Sequence, residues 1–264
     1  MSVELAQAQG PVSIFTPEHL NQLKNGFESV LENHKQLTMA FSARRFRDAR
    51  AEEFAHHGFL RRFNCMKRSI INVFTLLPPN LMDIPSEDRR QNAVINIQAF
   101  YINTYGATDN LSWIWVREKK VKKSNGYELP HGDVGLRKKN VIVSFPPDFR
   151  EYLGTINCWF KNIENFRHAL AHRIPLYIPP YHVRLEDAET YQKLENGIQA
   201  AMSRGDDAER DNLTREQEKI KTFQPLMTHS LGEKTKMVIF HSQLIIDFNT
   251  VHQIACKMLE ALDR

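Results

Sequence analysis

Hydrophobic positions along the chain recur mainly every three or four residues, the spacing that lines one face of an α-helix. Thr16, Pro17 and Glu18 form a start signal: a capping hydroxyl, a first-turn proline and an acid at the positive helix end. Leu20, Leu23, Phe27, Val30, Leu31 and Leu37 follow at mostly helical spacing. A second helix is expected from about 51 to 77, burying Phe59, Phe63, Ile70, Val73 and Leu77 and ending at Pro78 and Pro79. Ser86 caps a third, whose stripe is Val94, Ile97, Tyr101, Tyr105, Thr108, Leu111 and Trp115. Gly106 falls inside it, a place for a neighbouring helix to come close.

Pro146, Pro147 and Asp148 open a fourth helix with Tyr152, Ile156, Trp159, Ile163, Phe166 and Leu170 on its apolar side. It must stop by Ile174, because the residue before Pro175 disfavours the helical region. The Pro-rich run 174–181 reads as extended and polyproline-like. Asp187 to Ser203 is helical and ends at Gly205, a charged helix follows to about Phe223, and a broadly apolar helix from Phe240 through Leu259 closes the chain. Between Lys120 and Pro147 the periodicity vanishes. Turn residues (Ser124, Asn125, Gly126, Pro130, Gly132, Gly135) surround a short β-like run at 141–143, which suggests a basic loop or irregular hairpin.

The fold class that follows is all-α: one helical bundle over 1–264, carrying an irregular basic insertion at 120–147 and a charged helical appendage at 187–223. The 42% hydrophobic and 25% charged composition fits an ordinary packed core. No run approaches the roughly 18 apolar residues of a membrane span. Residues 1–10 lack the basic start and apolar block of a secretory leader, so a cytoplasmic protein is expected. Cys65, Cys158 and Cys256 are too far apart for a metal clip and are expected to be buried, reduced thiols.

The net charge of +4 is uneven. Residues 117–139 hold eight bases against three acids, which leaves the rest of the chain near neutral. Lys119, Lys120, Lys122, Lys123, Arg137, Lys138 and Lys139 are therefore the candidate RNA-binding cations.

The densest chemistry is Phe166-Arg167-His168-Ala169-Leu170-Ala171-His172-Arg173, in the last turns of the fourth helix. A guanidinium holds phosphate bidentately, and an imidazole relays protons, a combination suited to phosphodiester cleavage. Cations are also favoured at a helix C-terminus by the macrodipole alone. His168 and His172 share a face as zinc ligands do, but neither an adjacent Glu nor a third ligand accompanies them. The tryptophans Trp113, Trp115 and Trp159 read as core, and no triad or phosphate-binding loop is present.

Arg167-x4-His172, with a polar residue directly after the Arg and the His at a helix end, resembles the HEPN (higher eukaryotes and prokaryotes nucleotide-binding) domain. That family is an all-helical bundle whose Arg-x4-6-His motif forms a metal-independent RNase site, commonly across a symmetric dimer. His168 stands where the family often has Asn or Asp. The resemblance covers about 50–180 and the final helix, and 187–223 has no counterpart. Arg50-x5-His56 and Arg50-x6-His57 also fit the spacing, but Ala51 follows that Arg and the segment begins a helix. Asp109-Asn110-Leu111-Ser112-Trp113 is similar to a Leu-Asp-Asn-Leu-type pattern in HEPN-like bacterial proteins.

The resemblance implies catalytic roles for Arg167, His172 and His168, with Asp109, Asn110 and Arg173 in support. A buried Asp109 would hold Arg167 or His172 in place. No cofactor or metal is implied. The implied partners are RNA, a second copy of the chain and a protein antitoxin, in a toxin–antitoxin or phage-defence setting. The alternative is a non-catalytic helical module of the same kind that binds RNA or a protein partner.

Overall fold

The computed structural model describes residues 14–230 and 237–264, and the chain is mostly helical. Thr16 caps α1 (Pro17–Ala43), its hydroxyl accepting the backbone N–H of His19 at 3.3 Å. Leu23, Val30, Leu37 and Phe41 are buried, whereas Leu31 lies off the stripe and faces solvent. Asp48 accepts the N–H groups of Arg50 and Ala51 and starts α2 (Ala49–Glu53). The chain continues through a π-helical turn, Phe54–Phe59, into α3 (Leu60–Leu76). The sequence reads as one regular helix here; the wider turn is the departure, and such turns re-aim the side chains around them.

Ser86 caps α4 (Glu87–Glu118), which ends with the N–H of Val121 bonded to the carbonyl of Val116 at 3.0 Å and Lys120 in the left-handed region at φ 51°. The basic stretch beyond it is irregular and holds one small antiparallel turn at 122–128. An antiparallel bridge pairs Lys122 with Glu128, and the run read as β-like lies in a helical turn, α5 (Lys139–Ile142), and the bend after it. Val141 fills the core from that turn, so its apolar character reflects burial rather than strand geometry.

The expected fourth helix is two: α6 (Pro147–Thr155) and α7 (Asn157–His172), broken at Ile156 (φ −98°, ψ 17°). Their apolar faces have different partners. Tyr152 of α6 reaches Gln253 near the C-terminus at 3.1 Å, while α7 lies along α4. One straight helix cannot serve both.

After α7 the Pro-rich strap is tied down group by group. Gln98 donates to the Leu176 carbonyl (2.8 Å), Arg90 to that of Ile178 (3.1 Å), and Tyr177 pairs with Thr228.

The appendage is a helical hairpin of α8 (Ala188–Arg204) and α9 (Asp207–Glu218), turned by Gly205 at φ 72°. Its base is closed by β1 (His182–Val183) pairing antiparallel with β2 (Lys221–Thr222). The charged helix thus ends before Phe223, which is buried in the main core. β3 (Leu226–Met227) pairs with β4 (Val238–Ile239) and leads into α10 (Phe240–Leu262). No helix among the described residues is long and apolar enough to cross a membrane.

The core lies where α10 meets α1, α3 and α4. Phe41, Phe59, Phe63 and Phe248 stack in series, with centroids 4.7, 5.5 and 4.4 Å apart. The cysteines are free thiols, but Cys65 and Cys158 are exposed and only Cys256 is partly buried. The first two fall on the solvent sides of α3 and α7, outside the stripes that their neighbours bury.

Two polar groups of α10 are fully buried. Asp247 accepts from Tyr101 Oη (3.0 Å), Trp159 Nε1 (2.8 Å) and Gln243 Nε2 (2.9 Å), tying α10 to α4 and α7. His241 packs against Phe74 and Phe240, and its Nε2–H donates to the Leu77 carbonyl at 2.6 Å.

Burial pushes the Asp247 carboxyl up to about 6 and holds His241 down to about 4. Burial likewise raises Asp109 to about 6, and burial with nearby Lys67 lowers His34 to about 4. The two signs oppose. The raised acids contribute stability that is full below about 4 and lost as pH rises through about 6. The depressed imidazoles contribute stability that is full above about 6.5 and lost as pH falls through about 4. Burial also lowers His182 and His252, which adds to the imidazole side. His241→Phe removes one depressed imidazole, so its urea midpoint should lose ground to the parent's as pH rises from about 4 to about 6.5; a variant that runs parallel to the parent curve would refute this role for His241.

Candidate functional site

α7 delivers the Arg/His cluster, and its position is set by Trp159 on Asp247 at one end and by the strap at the other. Arg167 faces inward, its guanidinium 5.4 Å from the centre of the Tyr105 ring on α4. Asp109 stands one turn further along α4, half-buried. Burial raises its carboxyl, and the charges of Arg62 and Arg167 oppose the rise. Burial also raises the Tyr105 phenol, as do Asp109 and Glu164, while Arg167 and Arg137 oppose the shift. A half-buried patch of alternating charge thus surrounds Tyr105, and Asp109 lies within electrostatic reach of Arg167.

His168 and His172 are exposed, their ring centroids 6.2 Å apart. Glu164 lies 3.9 Å from His168 Nε2 and accepts from Arg137 Nη2 at 3.1 Å, so one carboxylate spans the helix and the basic segment. Among the described residues no three His, Cys, Asp or Glu side chains converge as a metal site. Successive helical residues are set about 100° apart, so His172 lies about 140° around α7 from Arg167. Within one chain, the guanidinium packs on the Tyr105 ring of α4 while both imidazoles are exposed to solvent.

Arg173 turns back on α7, donating to the Asn165 carbonyl at 3.0 Å and to the Asn165 side-chain oxygen. That contact folds the guanidinium back along α7, about two turns before its end, while the Arg173 backbone N–H bonds the Ala169 carbonyl at 3.1 Å and caps the helix. Asn110 faces α3 rather than α7, accepting from Arg62 Nε at 3.1 Å. Arg62 and Glu164 are the residues that sequence reasoning missed. The mid-helix Gly106 was the available signal for the first, and the spacing of Glu164 to His168 for the second.

The basic segment divides in two. Arg137 is bound to Asn157 (2.8 Å) and Glu164, Lys123 to Asp133 (3.2 Å), and Lys119 to the Leu262 carbonyl (3.3 Å). Lys120, Lys122, Lys138 and Lys139 are exposed and make no ion pair among the described residues. A cleft of about 250 Å³ separates this segment from α4 and α7, lined by Tyr105, Asp109, Val134, Arg137, Phe160 and Glu164. No family model, curated protein or solved structure matches the chain.

Proposed function

We propose that the end of α7 is a metal-independent RNA-cleaving site of the HEPN kind, completed by a second copy of the chain. The observation that carries this reading is the division of α7. Arg167 is held against Tyr105 beside Asp109, while His168 and His172 are presented outward on the same helix. A guanidinium fixed before the substrate arrives is what electrostatic stabilisation of a phosphorane-like transition state requires.

In this reading His172 removes the proton of a ribose 2′-hydroxyl, and the oxygen attacks the adjacent phosphorus. The bond to the 5′-oxygen breaks, and that oxygen takes a proton from an imidazolium, with His168 as the partner acid. Arg167 stabilises the charge on the phosphoryl oxygens. The products are a 2′,3′-cyclic phosphate and a 5′-hydroxyl. Because His172 and Arg167 of one chain face apart, a twofold axis that brings two copies of α7 together supplies the missing proximity.

The test is incubation of purified protein with RNA and with its DNA counterpart in the presence of EDTA. RNA cut to cyclic-phosphate ends, with DNA left whole, supports the reading; equal cutting of DNA, or silencing by EDTA, refutes it. A non-catalytic module binding RNA or a protein such as an antitoxin is the second reading. Arg173 favours it, because its guanidinium is engaged on Asn165 of its own helix and not turned toward His168 and His172 as a further catalytic cation.

RNA affinity should depend unequally on the basic segment. Neutralising Lys120, Lys122, Lys138 and Lys139 should flatten the salt dependence by up to about 0.7 log unit per lost phosphate contact. Neutralising Lys119, Lys123 and Arg137, whose charges are engaged within the protein, should flatten it less. Equal slopes for the two sets, measured by fluorescence anisotropy, would remove the distinction.

A further inference from the structure

Gly106, midway along α4, is covered by a side chain rather than by another helix's backbone. A Cβ built there would lie 2.5 Å from Cζ and Nη1 of Arg62. Laid flat on α4, Arg62 donates through Nε to Asn110 Oδ1 at 3.1 Å and makes a longer contact of 3.4 Å from Nη1 to Asn103 Oδ1. The next residue back, Tyr105, carries the Arg167 guanidinium. Asp109 follows Tyr105 by four residues and Gly106 by three, which places its carboxylate on the same face of α4.

Two guanidinium groups from α3 and α7 thus stand on neighbouring positions of one helix, with one half-buried carboxylate between them. Neither Arg62 nor Arg167 makes an ion pair within 4.0 Å of a carboxylate among the described residues, and both remain partly open to solvent. The patch holds an excess positive charge, and each guanidinium keeps N–H groups that no neighbour uses. A hydrogen bond to an amide oxygen orients Arg62 without neutralising it. This is how a protein prepares a cation for an anionic ligand.

We propose that Arg62 is an RNA-contacting residue that takes the backbone phosphate next to the one held by Arg167, with Asp109 as a counter-ion shared by both arms until the strand binds. The inference rests on the RNA reading of α7, but it assigns a residue from outside the Arg/His motif and a second phosphate position. It also accounts for Gly106, since any larger residue displaces the guanidinium from its seat.

The experiment uses the full chain and a short fluorescein-labelled 2′-deoxy oligonucleotide, which lacks the attacking hydroxyl and so binds without being cut. Anisotropy is followed through a salt titration. Arg62→Ala should weaken binding about tenfold or more and flatten the salt slope by about 0.7 log unit. Arg62→Lys should keep the slope while binding less tightly, because the charge persists and the fork does not.

Gly106→Ala is the decisive variant. It leaves the backbone alone, replaces glycine by the best helix former and displaces only the far end of a flexible side chain. It should melt no lower than the parent protein and yet show the weaker binding and flatter slope of Arg62→Ala. If Arg62 were merely a tether between α3 and α4, Gly106→Ala would alter melting and leave binding and slope unchanged, which would overturn the proposal. Failure of the parent protein to bind the oligonucleotide would overturn it too. Binding with these dependences in a protein that cuts no RNA would retain the phosphate seat and reject the cleavage reading. RNA cleavage that is indifferent to Arg62→Ala, with an unchanged slope, would do the reverse.

Discussion

Replacing Asp247 by alanine is expected to destabilise the protein by about 3–5 kcal/mol, the sum of orphaned buried donors and a small cavity. Three donors end on this carboxylate: Tyr101, Trp159 and Gln243. Tyr101 is fully buried, so its hydroxyl has no water to turn to, and the Trp159 indole is packed against the core. Each buried donor left without a partner costs about 1–3 kcal/mol, whereas Gln243, part-buried at the surface of α10, can rotate outward. Asp247→Asn should cost far less. Its oxygen can keep Trp159 and Gln243, and its amide can donate to the Tyr101 oxygen once that hydroxyl turns.

The Asn variant should also invert part of the pH dependence. Burial raises the Asp247 carboxyl to about 6. The native state therefore holds this proton more tightly than the unfolded chain, and the stability that results is lost as pH rises through about 6. An asparagine has no proton to lose, so its urea midpoint should gain on the parent's between pH 4 and 7. Midpoints at several pH values decide both points. An alanine variant within about 1 kcal/mol of the parent would show that α7 is held by apolar packing and not by this network.

The helices that were legible carry boundary residues or an apolar stripe in their own local sequence. Thr16 and Ser86 start helices by accepting N–H groups from residues three positions on, and Gly205 ends one through its positive φ. What failed to be legible was decided by partners far along the chain. Gly154, two residues before Ile156, does not by itself announce the break, since an isolated glycine inside a helical pattern is tolerated. The break occurs because Tyr152 must meet Gln253 while Trp159 must meet Asp247, two contacts made about a hundred and about ninety residues away.

The site shows the same contrast. The Arg167-to-His172 spacing is local and can be read directly, whereas Arg62 enters through packing of α3 on α4. Asp247 was visible only as a polar break in an apolar run. Its three donors come from α4, α7 and its own helix, a convergence that no periodicity encodes.

Arg167→Ala and His172→Ala should each reduce RNA cleavage by about 10²–10⁴-fold while leaving the fold intact. His172 is exposed at the end of α7, and Arg167 contributes a ring contact rather than a packed core volume, so neither truncation empties the interior. Stability should fall by no more than about 1 kcal/mol, the scale of a helix-terminal charge. The sharper outcome comes from mixing the two inactive proteins under conditions that let subunits exchange. If each site takes Arg167 from one chain and His172 from the other, a mixed dimer has one site lacking both groups and one site with both intact. At equal amounts half of the dimers are mixed and each has one working site of two, so cleavage should return to about a quarter of the parent rate. A site contained within a single chain, or a helix end with no catalytic role, recovers nothing on mixing. Light scattering on the same sample must report a dimer. A monomer that cuts RNA, or a mixture that stays inactive after proven exchange, would reject the shared site even if both residues proved essential.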